Sequence, residues 1–334
     1  MIDASPRLGW QTGLMNEKAF TKITKDWSPS NLVNQARSLA AIILVAATAV
    51  AGQATAQTPQ AAPESAQNAA TLLEKHAELA AQLTNNAYGR PLYLESSETS
   101  NMVNGNAYAV LDSPFGAVSS TLKSPKRWCD VMILHINTKY CQASTDTSPA
   151  AMNVSIGKKT EQDLADAFAL EFAFRLSSST PDYLHVRLNA DKGPLGTSNY
   201  RIELRAAPLP NGKTFMHLRY SYGYGMAGKI AMQGYLATVG SGKVGFTQLG
   251  EGQKQGYVGG MRGAVERNTM RYYLAVEAYL ASLARPPEQQ FNARLDQWFK
   301  ATEQYARQLH EVDKSAYLLM KQNEYKRQQN GLSN

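Results

Sequence analysis

Between residues 168 and 222, apolar and polar positions alternate in four successive runs. Phe168, Leu170, Phe172, Phe174 and Leu176 fall on one side, with Ala169, Glu171, Ala173 and Arg175 on the other. Leu184, Val186 and Leu188 alternate with Tyr183, His185 and Arg187. Tyr200, Ile202 and Leu204 alternate with Arg201, Glu203 and Arg205. Met216, Leu218, Tyr220 and Tyr222 alternate with His217, Arg219 and Ser221. Successive side chains of a strand point to opposite faces, so these runs predict an antiparallel sheet with one covered face and one wet face. Thr180-Pro181-Asp182, Lys192-Gly193-Pro194 and Asn211-Gly212 supply the turns between them.

Upstream, residues 71–83 read as a helix with Leu72, Leu73, His76, Leu79 and Ala80 on one face. Residues 92–94 and 107–111 read as strands flanking a turn at Asn104-Gly105. Asp112-Ser113-Pro114 and Ser124-Pro125 mark two helix starts, and residues 136–142 and 152–158 read as strands. Downstream come a short helix at 230–238, a last strand at 243–248, and a glycine-rich stretch leading into a long helix. Val265, Thr269, Tyr272, Tyr273, Val276 and Leu280 share one face of that helix, and Arg262 and Glu266 stand one turn apart on it. The pair either contacts a ligand or locks the helix end.

Arg285-Pro286-Pro287 breaks the helix. Phe291, Leu295, Trp298, Thr302, Tyr305, Leu309, Val312, Ala316 and Leu319 then repeat at spacings of four and three, the heptad pattern. An unbroken helix of this length spans on the order of 60 Å. It packs back on the domain, dimerises, or lies on a partner.

Residues 39–51, LAAIILVAATAVA, are apolar, with Arg37 before them and Ala54-Thr55-Ala56 after. This is the form of a secretory signal, with cleavage after Ala56 and Ala51 the competing site. The run falls short of the roughly 20 residues that span a bilayer; the alternative is an uncleaved anchor. The stretch before Arg37 is long for such a signal, and Met15 is an alternative start. Residues 57–68 then form a flexible linker. Removing residues 1–56 leaves 29 Lys and Arg against 24 Asp and Glu, a mild basicity without any nucleic-acid motif, so nucleic acid is not an expected partner. In an oxidising compartment Cys129 and Cys141 form one structural disulfide.

With 43% hydrophobic and 18% charged residues, the 334-residue chain is ordinary globular material. Its 2 Cys and 5 His hold no ligand-type cluster, so neither a metal site nor a cofactor is expected. No G-x-S-x-G or H-E-x-x-H motif is present. Gly223 to Gly228 has the spacing G-x-G-x-x-G but follows a strand of an antiparallel sheet, so it reads as turn glycine. Arg175, Arg187, Arg201, Arg205 and Arg219 share the wet face, where Glu171 and Glu203 are cross-strand partners. His185 and His217 fall there too. The apolar face is richer in tyrosine than a solid core, which favours a cavity with a few placed hydroxyls.

The order strand, two short helices, several antiparallel strands, long helix resembles the START-related helix-grip (SRPBCC-like) superfamily. The matching stretches are LYLESSETSNMVNGNAYAVLDSPFGAVSSTL, the WCDVMILHINTKYC region, the strands from Phe168 to Tyr222, and RGAVERNTMRYYLAVEAYLASL. The resemblance implies an α+β fold in which a curved antiparallel sheet grips a long C-terminal helix around an apolar cavity. It implies binding or transfer of lipids, with cyclases among its members. The organisation expected is a signal and extension (1–56), a linker (57–68), a helix-grip domain (69–284) and an amphipathic helical tail (285–334). The expected function is an exported, periplasmic protein binding a hydrophobic, lipid-type ligand between sheet and long helix. Its lining is Phe168, Leu170, Phe172, Leu184, Val186, Tyr200, Ile202, Leu204, Met216, Leu218, Tyr220, Tyr222, Tyr272, Tyr273 and Val276. The alternatives are an enzyme using the same cavity, and an interaction protein acting through residues 288–328.

Overall fold

The computed structural model describes residues 64–238, 240–250 and 256–331. The expected signal, its cleavage at Ala56 and linker residues 57–63 lie outside the described residues. Residues 64–68 already belong to the first helix.

The alternating runs become long strands of one antiparallel sheet, which has eight strands among the described residues. β1 (Leu92–Glu98) and β2 (Met102–Leu111) form a hairpin. After two short helices, α3 (Phe115–Leu122) and α4 (Pro125–Met132), come β3 (Thr138–Ser144), β4 (Ala150–Ile156), β5 (Phe168–Ser179), β6 (Leu184–Lys192), β7 (Thr197–Pro208) and β8 (Thr214–Tyr224). The order across the sheet is β1-β2-β8-β7-β6-β5-β4-β3, leaving β1 and β3 as its edges. One face is packed against the long helix α6 (Gly260–Ser282), which is the helix-grip arrangement. Cys129 of α4 and Cys141 of β3 form a disulfide, with Cα atoms 5.2 Å apart.

Asn104-Gly105 is not a turn. β2 runs through it, and the hairpin bends at residues 99–101. The glycine serves packing instead: a Cβ on Gly105 would come within 2.3 Å of Thr269 Oγ1 and 3.3 Å of the Val265 carbonyl oxygen. Only a residue without a side chain lets α6 sit this close to the sheet.

The other face is not uniformly wet. α1 (Glu64–Glu78) and α2 (Ala80–Thr84) lie across it. Leu72, Leu79 and Leu83 join Tyr108, Tyr183, Ala207, Leu209 and Phe215 in a second core. Each such leucine contributes about 1.5–3 kcal/mol by burial. Leu73, expected on the same face, is 38% exposed. Arg175 and Arg187 stand opposite each other across β5 and β6, and three of the five arginines have polar partners of their own. Arg205 Nη2 pairs with Glu203 at 2.7 Å, Arg187 Nε donates to Ser177 Oγ at 2.8 Å, and Arg219 Nη2 donates to Asn104 Oδ1 at 2.6 Å. Burial pushes the Glu203 carboxyl up, but the His185 hydrogen bond and the Arg205 charge outweigh this and hold it at about 2.

His217 stacks on Tyr108 with ring centroids 4.3 Å apart, and its Nε2 lies 2.9 Å from Asn106 Oδ1. Burial, then the Arg205 charge, pull the imidazole down to about 3. The unfolded chain takes up this proton near pH 6.5, whereas the folded chain holds it off until about 3. Stability from this group is therefore complete above pH 6.5 and falls as pH drops toward 3. His217→Gln should flatten the fall in thermal midpoint between pH 7 and 4; an unchanged slope would contradict the assignment.

The expected last strand at 243–248 is instead irregular chain ending in the short ladder of β9 (Gln248–Leu249) with β10 (Gly256–Tyr257). The short helix, α5 (Met226–Ala237), starts four residues earlier than expected. The tail is not one long arm. It breaks into α7 (Pro287–Glu303), α8 (Ala306–Leu309) and α9 (Lys314–Asn330). Leu295, Trp298, Leu309, Tyr317 and Met320 lie in the main core. The heptad stripe packs on the domain itself as far as Leu309 and Val312; in α9 the buried face shifts by one residue to Tyr317 and Met320, leaving Ala316 and Leu319 exposed.

Candidate functional site

Tyr200 of β7, Tyr220 and Tyr222 of β8 and Tyr272 of α6 meet between the sheet and the long helix. The ring centroids are 5.2 Å apart for Tyr200–Tyr222, 5.9 Å for Tyr220–Tyr222 and 5.4 Å for Tyr220–Tyr272. Period two puts the sheet tyrosines on one face, and the helical turn brings Tyr272 down onto them. His135, just after α4, stacks on Tyr272 at 4.6 Å. Asn268, one turn earlier on α6, faces both His135 and Tyr220.

Burial raises all four phenols, Tyr200 to about 12, so they stay neutral donors. Tyr200 pairs its hydroxyl with Thr197 Oγ1 at 2.8 Å. Burial, reinforced by Arg271, Lys321 and Lys159, drives His135 well below the ordinary imidazole value. Its Nε2 is buried without a hydrogen-bond partner among the described residues.

A charged layer adjoins this cluster. Arg271 Nη2 donates to Glu311 Oε1 at 2.7 Å, and Lys159 Nζ reaches the same oxygen at 2.7 Å. Lys243 Nζ lies 3.3 Å from the other carboxylate oxygen. Burial lowers Lys159 to about 8 and Arg267 to about 10, the latter donating to the Val244 carbonyl oxygen at 3.1 Å. Glu311 comes from the tail, so residues beyond α7 complete the environment of α6.

Among the other expected lining residues, Leu170, Phe172, Leu184, Val186, Ile202, Leu204, Met216, Leu218 and Val276 are buried together in the main core. Phe168 is 40% exposed, because β5 begins there, paired with Ile156 at the end of β4. Tyr273 is buried but turned to another flank of α6. Its hydroxyl donates to Glu277 Oε1 at 2.8 Å and Arg90 lies over its ring at 6.0 Å. His135, Asn268, Arg267, Arg271 and Glu311 escaped the sequence reading, since no local spacing links them. Among the described residues no group of three or more His, Cys, Asp or Glu is placed to hold a metal ion.

The Arg262–Glu266 pair has a structural outcome. Glu266 is fully buried and accepts from Ser96 Oγ at 2.5 Å, Phe246 N at 2.5 Å, Thr247 N at 2.9 Å and Thr247 Oγ1 at 2.6 Å. It pins the chain after α5 against β1. The resulting gap is a cleft of about 650 Å³ between β1, residues 246–248 and residues 304–308. Because Thr269 seats α6 over β2 at Gly105, this cleft and the tyrosine cluster lie on opposite flanks of the helix.

No family model and no curated protein matches the chain. Solved structures similar to it include the human StAR-related lipid transfer protein 5. It is 12% identical with a TM-score of 0.27, over 46% of this chain and 82% of that one. A truncated norcoclaurine synthase from Thalictrum flavum is 8% identical with a TM-score of 0.31, over 43% of this chain and 91% of that one. The Zhui aromatase/cyclase from Streptomyces sp. R1128 is 11% identical with a TM-score of 0.27, over 62% and 95%. Likenesses at such scores carry no functional argument; the helix-grip assignment rests on strand order and the gripped helix.

Proposed function

We propose that this chain is an exported carrier that holds a hydrophobic, lipid-type molecule between the inner face of the sheet and α6. The observation that carries the reading is the tyrosine cluster. Four hydroxyl-bearing rings stand in contact inside an otherwise apolar wall. An interior built only for stability has little use for so many phenols, whereas a binding site needs a few placed polar groups in an apolar surround.

In this reading Leu170, Phe172, Leu184, Val186, Ile202, Leu204, Met216, Leu218 and Val276 cover the apolar length of the ligand. The neutral hydroxyls of Tyr200, Tyr220, Tyr222 and Tyr272, with Asn268, orient its polar end. Burial of apolar surface drives binding at about 25 cal/mol per Å². A second reading, catalysis in the same interior, has one observation in its favour: the unpartnered Nε2 of buried, neutral His135 beside Tyr272.

The test is native mass spectrometry of the chain recovered from the exported fraction, followed by organic extraction. A lipid at near one per chain is expected, and the exported form should begin at Gln57. Tyr220→Phe should keep the fold but lower ligand retention roughly tenfold, the worth of about one buried hydrogen bond. Leu218→Arg should abolish both. A ligand-free mass with no uptake of added lipid would sink the carrier reading. Chemical turnover of the extracted ligand by the wild type, lost in His135→Ala, would favour the enzyme.

A further inference from the structure

The two edges of the sheet are finished differently. α9 packs along β3, where Lys321 Nζ donates to the main-chain oxygens of Thr138 at 2.8 Å and His135 at 2.7 Å. β1 contacts α6 and α2, but among the described residues no side chain bonds its outward main-chain groups as Lys321 does at β3. Val110 N donates to Pro91 O at 3.0 Å and Thr99 N to Met102 O at 2.8 Å, which sets the phase of the hairpin. The odd-numbered residues of β1 therefore turn their main-chain groups toward β2, and Leu94 and Ser96 turn theirs to the open edge. Among the described residues no hydrogen-bond partner meets those four groups.

The cleft of about 650 Å³ is lined by Tyr93, Leu94, Glu95 and Ser96 in succession. Consecutive side chains of a strand point to opposite faces, so a cleft touching all four runs along the strand's edge. Its far walls carry Tyr88, Phe246, Tyr257 and Tyr305. Tyr88, Phe246 and Tyr305 contact one another at 5.6–6.4 Å, and the Tyr305 hydroxyl donates to the Tyr88 carbonyl oxygen at 2.8 Å. The walls are thus held in place before anything binds. Arg262 and Arg307 supply positive charge to the cleft. Arg262 is held by Ser96 Oγ at 3.1 Å and lies 4.0 Å from the Glu266 carboxylate, so exposed Arg307 is the cleft's more available cation, and Glu95 alone of the lining is acidic.

We propose that this cleft takes an extended, acidic segment of a partner protein, which adds as a strand beside β1. The main-chain groups of Leu94 and Ser96 give the added strand its register. Its alternate side chains enter between the aromatic rings, and its acidic residue meets Arg307. Strand addition to an open edge draws affinity from main-chain hydrogen bonds and specificity from alternate side-chain pockets. The site stands on the opposite flank of α6 from the tyrosine cluster and does not depend on the ligand proposed there.

The test starts with selection of random heptapeptides on the immobilised full chain, followed by anisotropy titration of the peptides recovered. The expected peptides carry apolar residues at alternate positions and at least one acid. N-methylation of alternate amides in a selected peptide, which leaves the protein untouched, should weaken binding at least about tenfold through two lost hydrogen bonds. Arg307→Glu, at an exposed residue, should weaken acidic peptides by a similar factor. Hydrogen exchange at Leu94 and Ser96 should slow on binding. Failure to enrich any peptide, or equal binding of N-methylated peptides, would overturn the proposal. So would binding of tetra-N-acetylchitotetraose in place of peptide, or a sedimenting dimer of the chain that buries β1.

Discussion

Glu324→Gln is expected to lower the unfolding free energy by about 3–5 kcal/mol, the cost of stripping a buried charge of its partner. Glu324 sits between two ammonium groups in the core. Lys139 Nζ lies 2.9 Å from Oε1 and Lys321 Nζ lies 2.7 Å from Oε2, with both lysine side chains fully buried. Lys139 also donates to Thr160 O at 2.8 Å. Burial already pulls Lys321 down to about 8, against the pull of Glu324. Without the carboxylate, two positive charges remain in a dry site.

The pH dependence carries its own sign. A lysine whose folded value is depressed binds fewer protons folded than unfolded between about 8 and 10.5. Stability therefore rises with pH through that window. The deficit of Glu324→Gln should shrink as pH rises toward 10, because the orphaned lysines can then shed their charge. Urea unfolding followed by tryptophan fluorescence reads this directly, since Trp298 stacks on Tyr317 at 4.9 Å. A deficit below about 1 kcal/mol at pH 7, the worth of an exposed pair, would show that the tail is not seated as described.

Gly105→Ala should cost about 2 kcal/mol, in the range for overpacking a filled core. The sign is the informative part. Alanine is ordinarily the better residue by roughly 0.5–1 kcal/mol inside regular structure, through its smaller loss of chain freedom. Here the new methyl meets Thr269 Oγ1 at 2.3 Å, and Thr269 cannot swing clear cheaply because its hydroxyl donates to the Val265 carbonyl oxygen at 2.8 Å. Adding Thr269→Ala should return about half of the loss, since the Val265 oxygen at 3.3 Å still crowds the methyl. If Gly105→Ala raises the melting temperature instead, α6 does not lie on β2 at this point.

Much of the sheet was legible because its signal is local. Each of β5 to β8 carries its own period-two record, and the bounding turns are written in Pro, Gly and Asn. Gly105 was misread for the same reason. Asn104-Gly105 has the local form of a hairpin turn, but what demands the glycine is a helix about 160 residues later in the chain. The tail shows a similar limit. Its heptad stripe told which side chains go inside as far as Val312 but not in α9, where Tyr317 and Met320 are buried in place of Ala316 and Leu319, and nothing in the spacing says whether the buried face meets a partner or its own domain. The tyrosines could be picked out, since period two places them on a known face. Tyr273 could not be separated from Tyr272, because helical spacing leaves both on the apolar side until the flanking contacts with Arg90 and Glu277 are seen. His135, Arg271 and Glu311 come from three distant segments, as does the cleft beside β1, and no short pattern announces either.

The seating of α9 on β3 also sets an order of events at the ribosome. The Tyr317 hydroxyl donates to the Leu134 carbonyl oxygen at 2.9 Å across 183 residues, and Glu324 meets Lys139 across 185. A nascent chain that has emerged only through the long helix lacks the groups that finish this edge of the sheet. Contacts that distant close late, so the β3 edge cannot reach its final form until α9 has been made.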